Sequence, residues 1–202
     1  MNDERSPEAM ASAMRSIEAA FLIDGRGATL AGATELWLIR HGDCYDGIMG
    51  EDPPLSPQGR EQVRRLAGRL GRLHHDAVYC SPLRRALETA QAISPDLHVD
   101  ERLIEVHTEL DNGHVHPAEA PDRVLARMRG AVDDAVAAQP GGRVIMVGHG
   151  VAILGYLCDV LRMEFGTLRV LPYYTSVSIV RVLGDRRMVG SLADIAHLEG
   201  IA

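Results

Sequence analysis

The 202-residue chain is expected to fold as an α/β three-layer sandwich, with helices flanking a mostly parallel central sheet. Three observations carry that expectation. From residue 35 onward, apolar runs of strand length alternate with stretches of helical period. Two of these runs, Leu36-Trp37-Leu38-Ile39 and Val144-Ile145-Met146-Val147, are continuously apolar, as strands covered on both faces are. Residues 176–183 and 187–195, joined at Gly184-Asp185, read as a closing hairpin.

Taken in order, residues 1–33 form an arm unlike the rest. Met10, Met14, Ile17 and Phe21 recur near a 3.6 period, which predicts a helix over 7–22, followed by a glycine-rich loop from Asp24 to Gly32. The arm, partly helical or flexible, could pack on the body, join a homodimer interface, or be disordered. Residues 34–202 then form the main domain. A strand over 35–40 leads into a loop carrying Asp52-Pro53-Pro54. Ser56-Pro57 supplies an N-cap and a proline at the first helical position, and Val63, Leu66, Ala67 and Leu70 make 57–72 an amphipathic helix. Ala77–Cys80 reads as a strand. Ser81-Pro82 repeats the cap-and-proline start for a helix carrying Leu83, Ala86, Leu87 and Ala90. A helix near 119–138 precedes Gly141-Gly142 and a strand over 143–147, and His149 to Leu161 reads as another helix. The stretch 106–120 is expected to be loop.

Bulk properties bound the function. Hydrophobic residues make up 46% and charged residues 24%, ordinary for a globular protein, and the length suits one domain with a real core. A net charge of −7 argues against general affinity for nucleic acid. Three scattered cysteines, Cys44, Cys80 and Cys158, make neither a disulfide framework nor a zinc ribbon. No run approaches the ~18 apolar residues of a membrane span. The acidic start, Met1-Asn2-Asp3-Glu4-Arg5, lacks the order of a signal peptide. The expected location is the cytoplasm.

Residues with chemical potential cluster at expected strand ends. His41 follows Arg40 and precedes Gly42; His149 lies between Gly148 and Gly150. In α/β sheets ligands sit outside the carboxyl ends of strands, so two imidazoles could share one crevice. Such a pair suits phosphate, one ring acting as nucleophile and the other as donor. Arginine's planar fork suits phosphate oxygens. Arg85 falls in the first turn of an expected helix, whose amino end itself favours an anion. Glu105 follows a turn in Arg102-Leu103-Ile104-Glu105.

Arg40-His41-Gly42, the block Ser81-Pro82-Leu83-Arg84-Arg85-Ala86-Leu87-Glu88-Thr89-Ala90, Glu105 and Gly148-His149-Gly150 occur in one order over about 35–183. In that order they resemble the histidine phosphatase superfamily, which includes cofactor-dependent phosphoglycerate mutases and broad phosphatases. The resemblance implies a phosphoglycerate mutase-like fold and a phosphomonoesterase needing no metal and no cofactor. It implies that His41 becomes phosphohistidine, that Arg40, Arg85 and His149 bind the phosphate, and that Glu105 gives the leaving oxygen its proton. Glu109 and Asp111 are alternative donors, because the usual glycine and aromatic pattern after the acid is replaced by Val106-His107-Thr108. Asp43, Cys44 and Tyr45-Asp46-Gly47 also depart from the family after Arg-His-Gly, as does Thr175-Ser176-Val177-Ser178, where asparagine is usual. From Glu105 to His149 is 44 positions, a loop and one helix; the mutases of the family carry a larger insertion there. The expected activity is hydrolysis of a small phosphorylated metabolite. A mutase-type transfer and a weakly active phosphate-binding regulator are the alternatives.

Rival chemistries fit less well. A C-x5-R thiol loop fails at all three cysteines, since the sixth positions on are Gly50, Ala86 and Glu164. His107, His114 and His116 show no helical metal-ligand spacing and are read as plain surface groups that could still line the substrate mouth; His74-His75 ends a helix, where cations suit the dipole.

Overall fold

A computed structural model describes residues 7–45, 52–111, 114–165 and 167–200. Expected positions 46, 47 and 50 fall outside them, as do 112 and 113. Helix α1 spans Pro7–Ala20 and is followed by β1 (Thr34–Arg40), α2 (Pro57–Leu70), β2 (Ala77–Cys80), α3 (Arg84–Gln91) and the two-residue β3 (His98–Val99). A separate ribbon pairs β4 (Thr108–Asp111) with β5 (His114–Pro117). Then come α4 (Pro121–Ala138), β6 (Arg143–Gly148), α5 (Gly150–Val160), β7 (Val177–Leu183) and β8 (Arg186–Asp194).

The main sheet has the order β3-β2-β6-β1-β7-β8. Strands β3, β2, β6 and β1 run parallel, while β7 and β8 pair antiparallel. This is the expected mostly parallel sandwich with its closing hairpin. Alternation along each strand sends side chains to opposite faces. Leu36, Leu38, Val144 and Met146 pack under α4 and α5 with Val124, Met128, Val132, Ile153 and Leu157. Trp37, Ile39, Val78, Ile145 and Val147 pack on the other side with Leu66 and Leu70 of α2 and Ala86 and Ala90 of α3. Covering both faces is why these runs are apolar without a break.

Local signals act as expected at α2, where the Ser56 hydroxyl accepts from the Gly59 amide at 3.0 Å and proline opens the helix. They act differently at α3. Its N-cap position is Leu83, with no capping side chain, and Ser81 lies two residues earlier. Residues 106–120 are not all loop either, since β4 and β5 pair there. Their alternation of Thr, Asp, His and Val is too polar to read as a strand signal.

The arm is tied to the body at its carboxyl end. Arg186 donates to the carbonyls of Ala19 and Ala20 at 2.9 and 2.6 Å, which gives the last turn of α1 a cation, and Leu22 is fully buried. Met10, Met14, Ile17 and Phe21 remain exposed.

Candidate active site

Strand register builds the site. In the parallel pairs Arg40 lies opposite Gly148, and Cys80 opposite Val147. β1 and β6 therefore end level and β2 one residue short of them, and the next residues are His41, His149 and Ser81. The ladder runs one step further: the His41 amide donates to Gly148 at 3.0 Å and the Ser81 amide to Val147 at 3.0 Å. The rings of His41 and His149 stand with centroids 5.0 Å apart.

His41 is buried and held at both ring nitrogens. Nδ1 lies 2.7 Å from the Gly42 carbonyl, so it carries the proton and donates. Nε2 keeps its lone pair and faces Arg85 Nε at 3.3 Å. Burial, abetted by the charges of Arg85 and Arg40 and opposed by the bond to Gly42, brings its pKa down to about 3. The ring is therefore neutral across the working range. Burial, with His41, Arg85 and Arg40 close by, likewise holds His149 well below its usual value. His149 Nε2 lies 2.8 Å from Ser81 Oγ, while its Nδ1 is buried with no hydrogen-bond partner.

Arg40 reaches across the end of the sheet. Its guanidinium lies over the Tyr174 ring at 4.0 Å, Nη1 donates to Pro172 at 2.9 Å, and Nε is buried with no partner. Arg85 extends from the first turn of α3, where Asp52 is also anchored, accepting from the Arg84 amide at 2.6 Å and from Arg85 Nη1 at 3.3 Å. Glu105 sits against the amino end of α5. Its Oε1 accepts from Val106 at 2.8 Å and Ala152 at 3.2 Å, and Oε2 from Val151 at 3.4 Å. Burial raises its pKa, against those amides and the charge of Arg40. The five expected site residues thus converge on one end of the sheet. Backbones of Glu109 and Asp111 lie in β4; their side chains are outside the described residues, as are those of His114 and His116.

Several supporting residues were not legible as such. Thr89 of α3 accepts from the Gly42 amide at 3.1 Å and donates to the Arg85 carbonyl at 2.7 Å, coupling the His41 turn to the helix bearing Arg85. The Thr175 amide donates to the carbonyls of Arg40 and His41 at 3.0 and 3.2 Å, with φ at +57°. That left-handed conformation suits asparagine better than a β-branched residue. Gly42 and Gly59 let the turn press onto α2. A Cβ at Gly42 would lie 2.8 Å from Val63 Cγ2, and one at Gly59 would lie 1.9 Å from the Asp43 carbonyl oxygen.

Comparison with known proteins bears on the family and the fold. The profile of the histidine phosphatase superfamily (branch 1) matches residues 36–118 and 108–195. This chain belongs to that superfamily, a class of enzymes whose members matched here are named as phosphomonoester phosphatases and probable phosphoglycerate mutases. Phosphoserine phosphatase 1 of Hydrogenobacter thermophilus is 37% identical over 83 residues, a match spanning 36% of this chain and 38% of that protein. A probable phosphoglycerate mutase, GpmB of an Enterobacter species, is 26% identical over 83% of this chain and 96% of its own length. Among solved structures, YhfR of Bacillus stearothermophilus has a TM-score of 0.68 at 27% identity, covering 82% of this chain and all of that one. A phosphoserine phosphatase variant of Entamoeba histolytica in complex with phosphoserine also has a TM-score of 0.68, at 20% identity, with 82% and 99% coverage.

Two glycines on α2 separate site geometry from helix propensity. Gly59→Ala forces the Asp43 backbone away and is expected to lower kcat/KM for a phosphate monoester at least about tenfold. Gly68→Ala, whose Cβ meets nothing within 4 Å, is expected to leave kcat/KM unchanged and to stabilise the fold by roughly 0.5–1 kcal/mol in urea unfolding.

Proposed function

We propose that this chain is a metal-independent phosphatase that hydrolyses a small phosphorylated metabolite through a phosphohistidine on His41. The observation that carries this reading is the state of His41. Its Nδ1 proton is committed to Gly42, and its unprotonated Nε2 stands among cations. Such a ring attacks phosphorus without first losing a proton.

The chemistry follows in two steps. The Nε2 lone pair forms a bond to phosphorus as the ester P–O bond breaks. Arg40, Arg85 and His149 take the phosphoryl oxygens, and Glu105 passes its proton to the leaving oxygen. Water then forms the new P–O bond as N–P breaks, giving its proton to the same carboxylate. Several observations support these roles. Arg40 Nε and His149 Nδ1 are both buried without a partner, sites that an anion's oxygens would satisfy. The raised pKa of Glu105 keeps it a competent acid. Hydrolysis is preferred to transfer because the described structure between Glu105 and His149 holds only the β4–β5 ribbon, α4 and β6.

Relatives named for phosphoserine and α-ribazole support a small monoester as substrate, and the net charge of −7 disfavours nucleic acid. No helix among the described residues is long and apolar enough to cross a membrane, and buried Cys80 and Cys158 are free thiols, which fits a cytoplasmic enzyme. Residues 34–202 carry this activity.

The arm, residues 1–33, we assign to a homodimer. Met10, Met14, Ile17 and Phe21 are each more than half exposed, and a lone 14-residue helix is marginal in water. Their spacings of four, three and four are symmetric, the a/d pattern of a coiled-coil seam. A second copy laid antiparallel sets Met10 on Phe21 and Met14 on Ile17. It places Ala13 against Ala20 on one flank and Ala11 against Glu18 on the other, opposing no like charges. The polar face, with Glu8, Arg15 and Glu18, lacks the basic character that anionic lipid requires. So short a seam gives a weak, concentration-dependent dimer.

Three outcomes test these readings. Intact mass after a brief acid-free quench with a phosphate monoester should show one added phosphoryl group in the wild type and none in His41→Ala, whose turnover should fall about 10⁴-fold or more. Turnover by His41→Ala at the wild-type rate overturns the mechanism. Glu105→Gln should cost roughly 10²–10⁴-fold on alkyl phosphates and far less on aryl phosphates. In the wild type, alkyl phosphatase activity should decline as pH rises through the raised Glu105 pKa, because the protonated form is the donor. That limb should vanish in Glu105→Gln; an equal loss on both ester classes points to Glu109 or Asp111. Sedimentation equilibrium should show micromolar self-association that Met14→Glu abolishes with turnover unchanged. A wild type still monomeric at about 0.5 mM removes the dimer.

A further inference from the structure

Ser81 belongs to the sequence block that opens α3, yet it does not cap that helix. It is fully buried, and its Oγ has two neighbours: the Leu83 amide, which donates to it at 3.3 Å, and His149 Nε2 at 2.8 Å. A serine hydroxyl has one proton to give and two lone pairs to offer. The Leu83 amide takes up a lone pair. Among the described residues the hydroxyl proton has one acceptor within reach, His149 Nε2, provided that nitrogen is unprotonated.

The opposite arrangement, Nε2–H donating to Oγ, sends two N–H groups into one oxygen. It strands the serine proton in a fully buried position, an unmade hydrogen bond that costs stability. His149 is itself fully buried and its ring is neutral, so it carries a single proton. Placing the serine proton on the Nε2 side leaves that ring proton on Nδ1, the nitrogen with no partner.

We infer that Ser81 is a positioning residue: its hydroxyl fixes the neutral His149 in the Nδ1–H tautomer, so that this ring presents a hydrogen-bond donor to the phosphoryl group beside His41. The inference deepens the reading of this site as a phosphatase. Ser81 touches no substrate atom; it acts through His149. The two imidazoles then hold the same tautomer by different means, His41 through the Gly42 carbonyl and His149 through the Ser81 hydroxyl. They present opposite faces to phosphate: His41 offers the lone pair on Nε2 and His149 the proton on Nδ1. Strand register sets up the pairing, since β2 and β6 run side by side and Ser81 follows β2 opposite Gly148, the residue before His149.

The test is the tautomer itself, read from long-range ¹H–¹⁵N correlations of the histidine rings in ligand-free protein, with His149 assigned by its loss in His149→Gln. The wild type should show His149 protonated at Nδ1. Ser81→Ala should shift it toward Nε2–H and weaken binding of vanadate about 10- to 100-fold, the value of a hydrogen bond to a charged ligand. Ser81→Thr, which keeps the hydroxyl, should restore both. Wild-type His149 protonated at Nε2 overturns the inference, and so does an unchanged tautomer in Ser81→Ala. The wild-type spectrum decides the point even if Ser81→Ala does not fold. A wild type with the Nδ1–H tautomer that fails to turn over any phosphate monoester would sink the phosphatase reading while leaving this assignment standing.

Discussion

The parallel pairing of β1 with β6, and of β6 with β2, is the constraint on which everything else here rests. Parallel strands deliver their carboxyl ends to one edge of the sheet, so residues distant in sequence emerge as neighbours. With Arg40 opposite Gly148 and Cys80 opposite Val147, the chain passes from apolar strand to polar turn three times within one residue of the same height. A slip of one residue would displace a histidine by about 3.3 Å and turn its side chain to the other face. The apolar runs on both faces oppose such a slip, because each inward residue has its own layer of helix above or below it. Core packing and site geometry are therefore one problem with one solution.

The electrostatics of the site favour an anion. Arg40 and Arg85 bring two positive charges to the end of a sheet where His41, His149 and Glu105 have been drawn out of water. Both imidazoles answer by staying neutral and the carboxyl by holding its proton more tightly. The linkage has a definite sign. His41 titrates near 3 in the folded state and near 6.5 in the unfolded chain. The fold therefore loses stability as pH falls from 6.5 toward 3, where the unfolded chain binds a proton that the native ring refuses. An incoming phosphate dianion changes the balance, pairing the arginines and occupying the unpartnered donors. Asp52, bound at the α3 amino end and to Arg85, is the carboxylate that such an anion would meet there.

Much of this was legible in the sequence, and what was not has physical reasons. Strands β1, β2 and β6 announced themselves because double-sided burial demands continuous apolar residues, and α2 because Ser56-Pro57 is a strong local start. The five candidate site residues were legible through ordered motifs. Their convergence is set by register, which no local pattern encodes. The β4–β5 ribbon was missed because it stands apart from the main sheet and carries polar residues. Ser81 was misread for a related reason: serine before proline is a good helix start, and nothing local reveals that a histidine 68 positions away takes its hydroxyl instead. Thr89 and Thr175 likewise act through backbone amides and carbonyls of distant turns, contacts that leave no periodic trace.

Glu105 shows how one helix terminus can serve both fold and chemistry. The first amides of α5 lack intrahelical partners, and His149 at the N-cap position gives them none from its side chain. The Glu105 carboxyl supplies the acceptors. It does so unevenly: Oε1 takes Ala152 at 3.2 Å and also Val106, outside the helix, at 2.8 Å, whereas Oε2 has only the longer 3.4 Å contact to Val151. A proton on Oε1 would face two amide donors and one on Oε2 a single longer contact, which favours Oε2 as the oxygen to be protonated. Burial raises the affinity for that proton; the amides and Arg40 moderate it. Removing the carboxyl would therefore uncap α5 as well as remove the proposed acid, whereas glutamine keeps an acceptor for Ala152 at the Oε1 position and gives up the acid and the long contact to Val151. That asymmetry between the two oxygens makes a carboxyl at this helix end suited to donate a proton, and later accept one, without releasing the helix that holds it.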